Sequence, residues 1–133
     1  MYAEFRIKTG KKQEIVDITN YVKEIVRKSK VEEGLCVIYV PHATAAVIIN
    51  ENYDPSICDD ILNALEKLIP KDAGYKHDRI DDNAHAHIKS GILGPSQSIP
   101  IKNGELQLGT WQGIALADFD GPRERRVIVQ IFD

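Results

Sequence analysis

All four histidines of the chain, His42, His77, His85 and His87, fall between residues 42 and 87, and His77, His85 and His87 have Asp or Asn within a few residues in sequence. Neutral imidazole nitrogens suit zinc and related divalent ions, and a catalytic zinc commonly keeps three protein ligands and a water. His85 and His87 form a His-x-His pair whose use depends on the local backbone. On a strand both rings share a face, whereas on a helix residues two apart point about 200° away from each other. The pattern of residues 82–91 is helical, so only one of the two faces a shared ion. His87, with Asn83 one turn before it, is the expected one. Isolated surface histidines give the same composition, and residue types alone leave both alternatives open.

Three further clusters carry chemical potential. Asn50-Glu51-Asn52-Tyr53-Asp54 directly follows an apolar strand. Glu51 and Asn52 are suited to orienting a histidine, holding an ion through water or serving as general base, while Asp54 reads as a helix cap. Asp118 to Arg126 brings three arginines to a Gly-Pro turn, where Arg123 and Arg125 could grip phosphate or pyrophosphate in bidentate fashion. The alternative is a solvated loop whose arginines pair with Asp118, Asp120 and Glu124. Trp111, the only tryptophan, lies between Gly109 and Gly113, where it walls a pocket or fills a core or subunit contact.

The elements that must position these groups follow from patterning. Residues 2–8 alternate as a strand and residues 14–18 form a second one. A helix follows from Thr19 or Asn20 and closes at Gly34. Residues 35–40 and 44–50 are strands separated by Pro41-His42-Ala43. Asp54 and Pro55 open a helix that Pro70 stops, and residues 71–81 form a polar loop. Asp82 caps a shorter helix that closes near Gly91 or Gly94. Asn103-Gly104 is a hairpin turn between strands at 98–101 and 105–108, and strands at 111–117 and 126–132 complete the chain. Strands come in hairpin-like pairs rather than in βαβ alternation. The expected fold is therefore α+β, with two packed, largely antiparallel sheets and two to three helices in a single domain spanning residues 1–133.

Composition narrows the function. The 133 residues are 43% apolar and 28% charged, with a net charge of −3, which gives no reason to expect nucleic acid or an anionic membrane as partner. The apolar run from Ala43 to Ile49 is far too short to cross a bilayer. Glu4 and Arg6 stand where a signal peptide needs an apolar stretch, so a cytoplasmic location is expected. Cys36 and Cys58 read as reduced structural thiols. No Gly-x-Gly-x-x-Gly or Walker sequence is present.

Several ordered segments resemble the YjbQ family of secondary thiamine-phosphate synthase-like proteins. They are Pro41-His42-Ala43-Thr44-Ala45, Asn50 to Pro55, Tyr75-Lys76-His77-Asp78, Asp82 to Ser90, Gly104 to Ile114 and Asp120-Gly121-Pro122-Arg123. The match runs nearly end to end. Two departures are Ala43, where threonine is common, and Asp118, where glutamate is common.

The resemblance implies a homotrimer in which His42, His77 and His87 hold a divalent metal ion, zinc foremost and magnesium as the alternative. The implied activity joins hydroxymethylpyrimidine pyrophosphate to a thiazole phosphate with release of pyrophosphate. A metal and Arg123 or Arg125 would neutralise the leaving group, Glu51 or Asp82 would handle protons with Asn52 beside them, and Trp111 would wall the pocket. The usual thiamine-phosphate synthase is a (β/α)₈ barrel of roughly 250 residues, which this chain is too short to form. Two other functions fit the same residues: a metal-dependent hydrolase of a small phosphorylated or carbonyl metabolite, and a trimeric ligand-binding protein without catalysis.

Overall fold

The computed structural model describes residues 1–51 and 53–133. The elements, in chain order, are β1 (Tyr2–Lys8), β2 (Glu14–Asp17), α1 (Thr19–Ser29), β3 (Glu33–Tyr39), β4 (Ala45–Asn50), α2 (Pro55–Leu68), α3 (Asp78–Asp81), α4 (Ala84–Leu93), β5 (Ser96–Lys102), β6 (Glu105–Leu106), β7 (Gly113–Asp118) and β8 (Glu124–Phe132). They build two antiparallel sheets, one of five strands in the order β1-β8-β3-β5-β6 and one of three in the order β2-β7-β4. The α+β architecture with two sheets is therefore as the patterning implies. Among the described residues there are four helices, the extra one being the single turn of α3.

Alternation explains the large sheet. In β8, Val127, Val129 and Ile131 point inward, and they meet Cys36 and Ile38 of β3 and Ile99 and Ile101 of β5. Against them pack Val47, Ile114 and Leu116 of the small sheet, together with Ile18, Val22 and Val26 from the start and buried face of α1. β7 is buried along its whole length because both its faces are covered. On its second face, Ala46, Ala117 and Phe119 meet Ala86 of α4 and Leu62 and Leu65 of α2. The small alanines on strand and helix let α4 lie close to the sheet. The outer face of the five-stranded sheet carries exposed Tyr2, Leu35, Tyr39 and Phe132. No helix is long and apolar enough to cross a membrane.

Helix ends follow their chemistry. The Asp54 carboxylate accepts the Ser56 amide at 2.9 Å, with Pro55 in the first helical position. α1 ends not at Gly34 but at Lys30, which adopts a left-handed conformation (φ 59°). Gly34 belongs to β3 instead, where a Cβ would collide with the Phe132 carbonyl oxygen. α4 is capped from a distance. The Ala84 amide donates to the Asp78 carboxylate at 2.9 Å, while Asp82, expected as the cap, takes a left-handed turn (φ 55°).

The β4–β7 ladder sets the functional geometry. Ala45 pairs with Asp118 at one end and Asn50 with Gly113 at the other. Segments 41–44 and 119–123 therefore gather at the first end, and Glu51, Tyr53, Asp54 and the 107–112 loop at the second.

Candidate functional site

At the Asp118 end, a cleft of about 630 Å³ opens between the 119–125 segment, the start of β4 and the start of α4. His42, Asn83, His87, Asp120 and Arg123 line it together with Thr44 and Arg125. His42 is fixed by its backbone surroundings. Its Nε2 accepts the Arg126 amide N–H at 2.8 Å. An atom accepting from an amide carries no proton, so the proton of the neutral ring sits on Nδ1. Burial, and then the Arg125 charge, push the His42 pKa below its ordinary value near 6.5. At neutral pH the residue offers a hydrogen-bond donor.

The cleft floor is a buried charge network. Arg125 donates from Nη2 to Asp118 Oδ1 at 2.6 Å and to Thr44 Oγ1 at 2.8 Å, and both members of the ion pair are buried. Thr9 Oγ1 donates to the second Asp118 oxygen at 2.7 Å, and the Asp120 amide donates to Oδ1 at 3.0 Å. Asp120 accepts from Lys12 Nζ and from Asn83 Nδ2, each at 3.0 Å, and from Arg123 Nη2 at 3.2 Å. Burial alone would raise the Asp120 pKa, but the Asn83 and Lys12 hydrogen bonds and the nearby cations hold it at about 2. Two buried polar atoms of residues lining this floor, Arg125 Nε and Asn83 Oδ1, have no partner among the described residues.

His87 and His77 meet edge to face, with ring centroids 4.9 Å apart and planes at 77°. His85 turns the other way, as helical spacing requires. It is buried, and its Nδ1 sits 3.0 Å from Lys89 Nζ, itself fully buried and paired with Glu66 at 2.8 Å. Burial opposes ionisation of Glu66, yet the Lys89, Lys71 amide and Gln13 hydrogen bonds lower its pKa to about 2.

The sequence matches the profile of the UPF0047 protein YjbQ-like family over residues 3–133. The chain belongs to this family. It is 52% identical over 131 residues to a UPF0047 protein of Methanocaldococcus jannaschii, covering 98% of this chain and 94% of the relative. With the UPF0047 protein YugU of Bacillus subtilis it shares 39% identity over 132 residues, 98% of each chain. A crystal structure of a YjbQ/UPF0047 family protein from Clostridium acetobutylicum superposes with a TM-score of 0.94 at 49% identity, covering 98% of this chain and 99% of that one. A YbjQ-like protein of Sulfolobus solfataricus gives a TM-score of 0.96 at 40% identity, over 98% and 95% of the two chains.

Within this YjbQ-like chain the expected site divides. His42, His87, Arg123 and Arg125 share the cleft, with His77 against His87. The three histidines do not form a ligand set as placed, because His42 uses its Nε2 lone pair on the Arg126 amide and its Nδ1 holds the proton. The three described residues whose ligand atoms come within 4.8 Å of one another are Asp72, Asp78 and Asp82, on the 70–82 loop and α3. Asp82, expected beside the histidines, belongs to that exposed group and lies 3.9 Å from Lys71 Nζ. Arg125, expected as an anion grip, has its charge matched by Asp118. Arg123, more than half exposed, keeps an accessible guanidinium despite its contact with Asp120.

Glu51 and Trp111 lie at the opposite end of the β4–β7 ladder. Trp111 is 66% exposed, meets Tyr53 edge to face at 6.4 Å and does not line the His42 cleft. Asn52 lies outside the described residues. The residues that sequence reasoning left out of the site are Thr44, Lys12 and Asp81, and Asp120 was read only as an arginine partner. Asp120 was the findable one, since a carboxylate flanking a Gly-Pro turn beside three arginines has ready partners. Both cysteines are free. Burial pushes the Cys36 thiol up to about 11 and also raises that of Cys58, so neither is an activated nucleophile.

Proposed function

We propose that the chain is a transferase acting on small phosphorylated metabolites in the His42–His87–Arg123 cleft, with thiamine phosphate formation and pyrophosphate release as its reaction. The observation that carries this is the convergence, in one cleft, of a fixed imidazole N–H, an accessible guanidinium and one buried donor without a partner among the described residues, Arg125 Nε. Such a set receives developing negative charge on a departing phosphate oxygen. The His42 Nδ1–H and the Arg123 guanidinium would stabilise the leaving pyrophosphate. His87 is placed to take or return a proton. Asp120, held ionised by Lys12 and Asn83, would keep Arg123 oriented.

A zinc ion would be held by imidazoles such as His77 and His87, whose rings meet, whereas magnesium would call for carboxylates; no role above depends on either. A hydrolase reading would need Glu51 as base, and within its own chain Glu51 stands at the far end of β4. The working form is taken to be a cytoplasmic homotrimer.

Purified protein incubated with hydroxymethylpyrimidine pyrophosphate and thiazole phosphate should form thiamine phosphate, with and without added zinc or magnesium. Arg123→Ala and His87→Ala should each lower the rate by at least tenfold. Absence of product, or equal rates in wild type and both variants, would refute the assignment.

A further inference from the structure

The two ends of the β4–β7 ladder are complementary. At the cleft end stand donors that lack acceptors: the His42 Nδ1–H, the outer face of the Arg123 guanidinium and the buried Arg125 Nε. At the other end, loops 51–54 and 107–112 carry Glu51 and Asp54 and no cation. The Asp54 carboxylate caps α2; that of Glu51 has no partner among the described residues. Beside it Tyr53 and Trp111 stand 83% and 66% exposed, ring against ring. An exposed aromatic pair of this kind is apolar surface available to another molecule, each ring burying on the order of 150–250 Å² when enclosed.

Within one chain these halves cannot meet. β4 runs straight between them, and from Thr44 to Glu51 the extended backbone spans about 20 Å. Two copies arranged head to tail bring the aromatic end of one against the cleft of the next. Because each copy then has one donor end and one acceptor end, the contact is heterologous and is satisfied throughout when copies close into a ring.

We infer that Glu51, Tyr53 and Trp111 of one copy close the His42–His87 cleft of its neighbour, so that each functional site is shared between two copies. The neighbour's aromatic rings supply the apolar wall that the cleft lacks, and its carboxylate is the acceptor for the His42 N–H and Arg123 that pyrophosphate displaces on binding. This rests on the cleft being the functional site.

Trp111 is the only tryptophan, so its fluorescence reports on that wall alone. In native wild-type protein, acrylamide should quench Trp111 several-fold less efficiently than it quenches the urea-unfolded chain. Inorganic pyrophosphate should change the emission, and Arg123→Ala on the neighbouring surface should abolish that change. Glu51→Gln with Tyr53→Ala should raise quenching toward the unfolded value while circular dichroism stays native. Co-expressed His87→Ala and Trp111→Ala chains, purified as mixed oligomers through two tags, should recover activity that neither variant shows alone. A sedimenting monomer, or an oligomer whose Trp111 is quenched as freely as in the unfolded chain, would overturn the shared site and leave the cleft assignment intact. Shielded Trp111 together with unchanged synthesis in His87→Ala would instead refute the cleft assignment.

Discussion

At the Asp118 end of the β4–β7 ladder, side chains are held by buried charges and backbone amides. At the Gly113 end, two aromatic rings lie out in solvent on loops beside the half-buried Glu51. The same two strands support both. The cleft end is braced by Thr9 and Lys12 from the β1–β2 connection, which bind Asp118, Asp120 and the 121–123 backbone. Near the Gly113 end the bracing among the described residues is uncharged: Ile114 is bonded to the Thr19 hydroxyl and the Ile18 amide. The contrast is between an end held by buried charges and an end held by neutral hydrogen bonds. A preorganised charged end suits binding of charge, whereas the end with exposed aromatic rings suits contact with another surface.

The largest effect expected from breaking this contrast comes from Asp118→Ala. It leaves Arg125 buried and uncompensated, so urea unfolding should show a loss of roughly 3–5 kcal/mol. A loss below about 1 kcal/mol would mean that the brace contributes little. Arg123→Ala should behave differently because its side chain is more than half exposed. Unfolding should shift by no more than about 0.5 kcal/mol, while pyrophosphate affinity measured by calorimetry falls by about 10- to 100-fold, the effect of one charge-assisted contact.

Smaller still is the dependence on pH. His42 and His85 both have pKa values below the ordinary 6.5, through burial first and then through Arg125 and Lys89 respectively. The unfolded rings take protons as pH falls through 6.5, and the folded ones resist. The stability they contribute is thus present above pH 6.5 and lost below it. Melting temperature should decline between pH 7 and 5, and His85→Gln should flatten the decline; an unchanged slope in that variant would count against the His85–Lys89 contact. Glu66 and Asp120, held at about 2, act at lower pH. Their stabilisation is present above the ordinary carboxylate range and fades as pH falls toward 2.

Much of the fold was readable from the chain. Period-2 alternation gave β1 and β8, Asp54-Pro55 gave the start of α2, and Asn103-Gly104 gave the β5–β6 turn. Helix spacing also separated His85 from His87 correctly, because that follows from local geometry. What was not readable depends on long-range register. Nothing in Pro41-His42-Ala43 reveals that β8 passes alongside and donates the Arg126 amide to His42, changing a metal-ligand candidate into a hydrogen-bond donor. Likewise Glu51 and His42 are close in sequence, yet an extended strand lies between them and carries them to opposite ends of the sheet. Asp82 was misread as a cap because the true cap, Asp78, reaches across the turn of α3.

The central claim is that the His42–His87–Arg123 cleft receives a phosphorylated group with His42 protonated on Nδ1. Long-range ¹H–¹⁵N histidine spectra recorded during titration with inorganic pyrophosphate test it directly, with buried His85 as the internal control. The expected result is a His42 Nδ1–H tautomer before titration, and shifts of His42 and His87 with His85 unmoved. A His42 protonated on Nε2, or pyrophosphate shifts no larger at His42 and His87 than at His85, would contradict it.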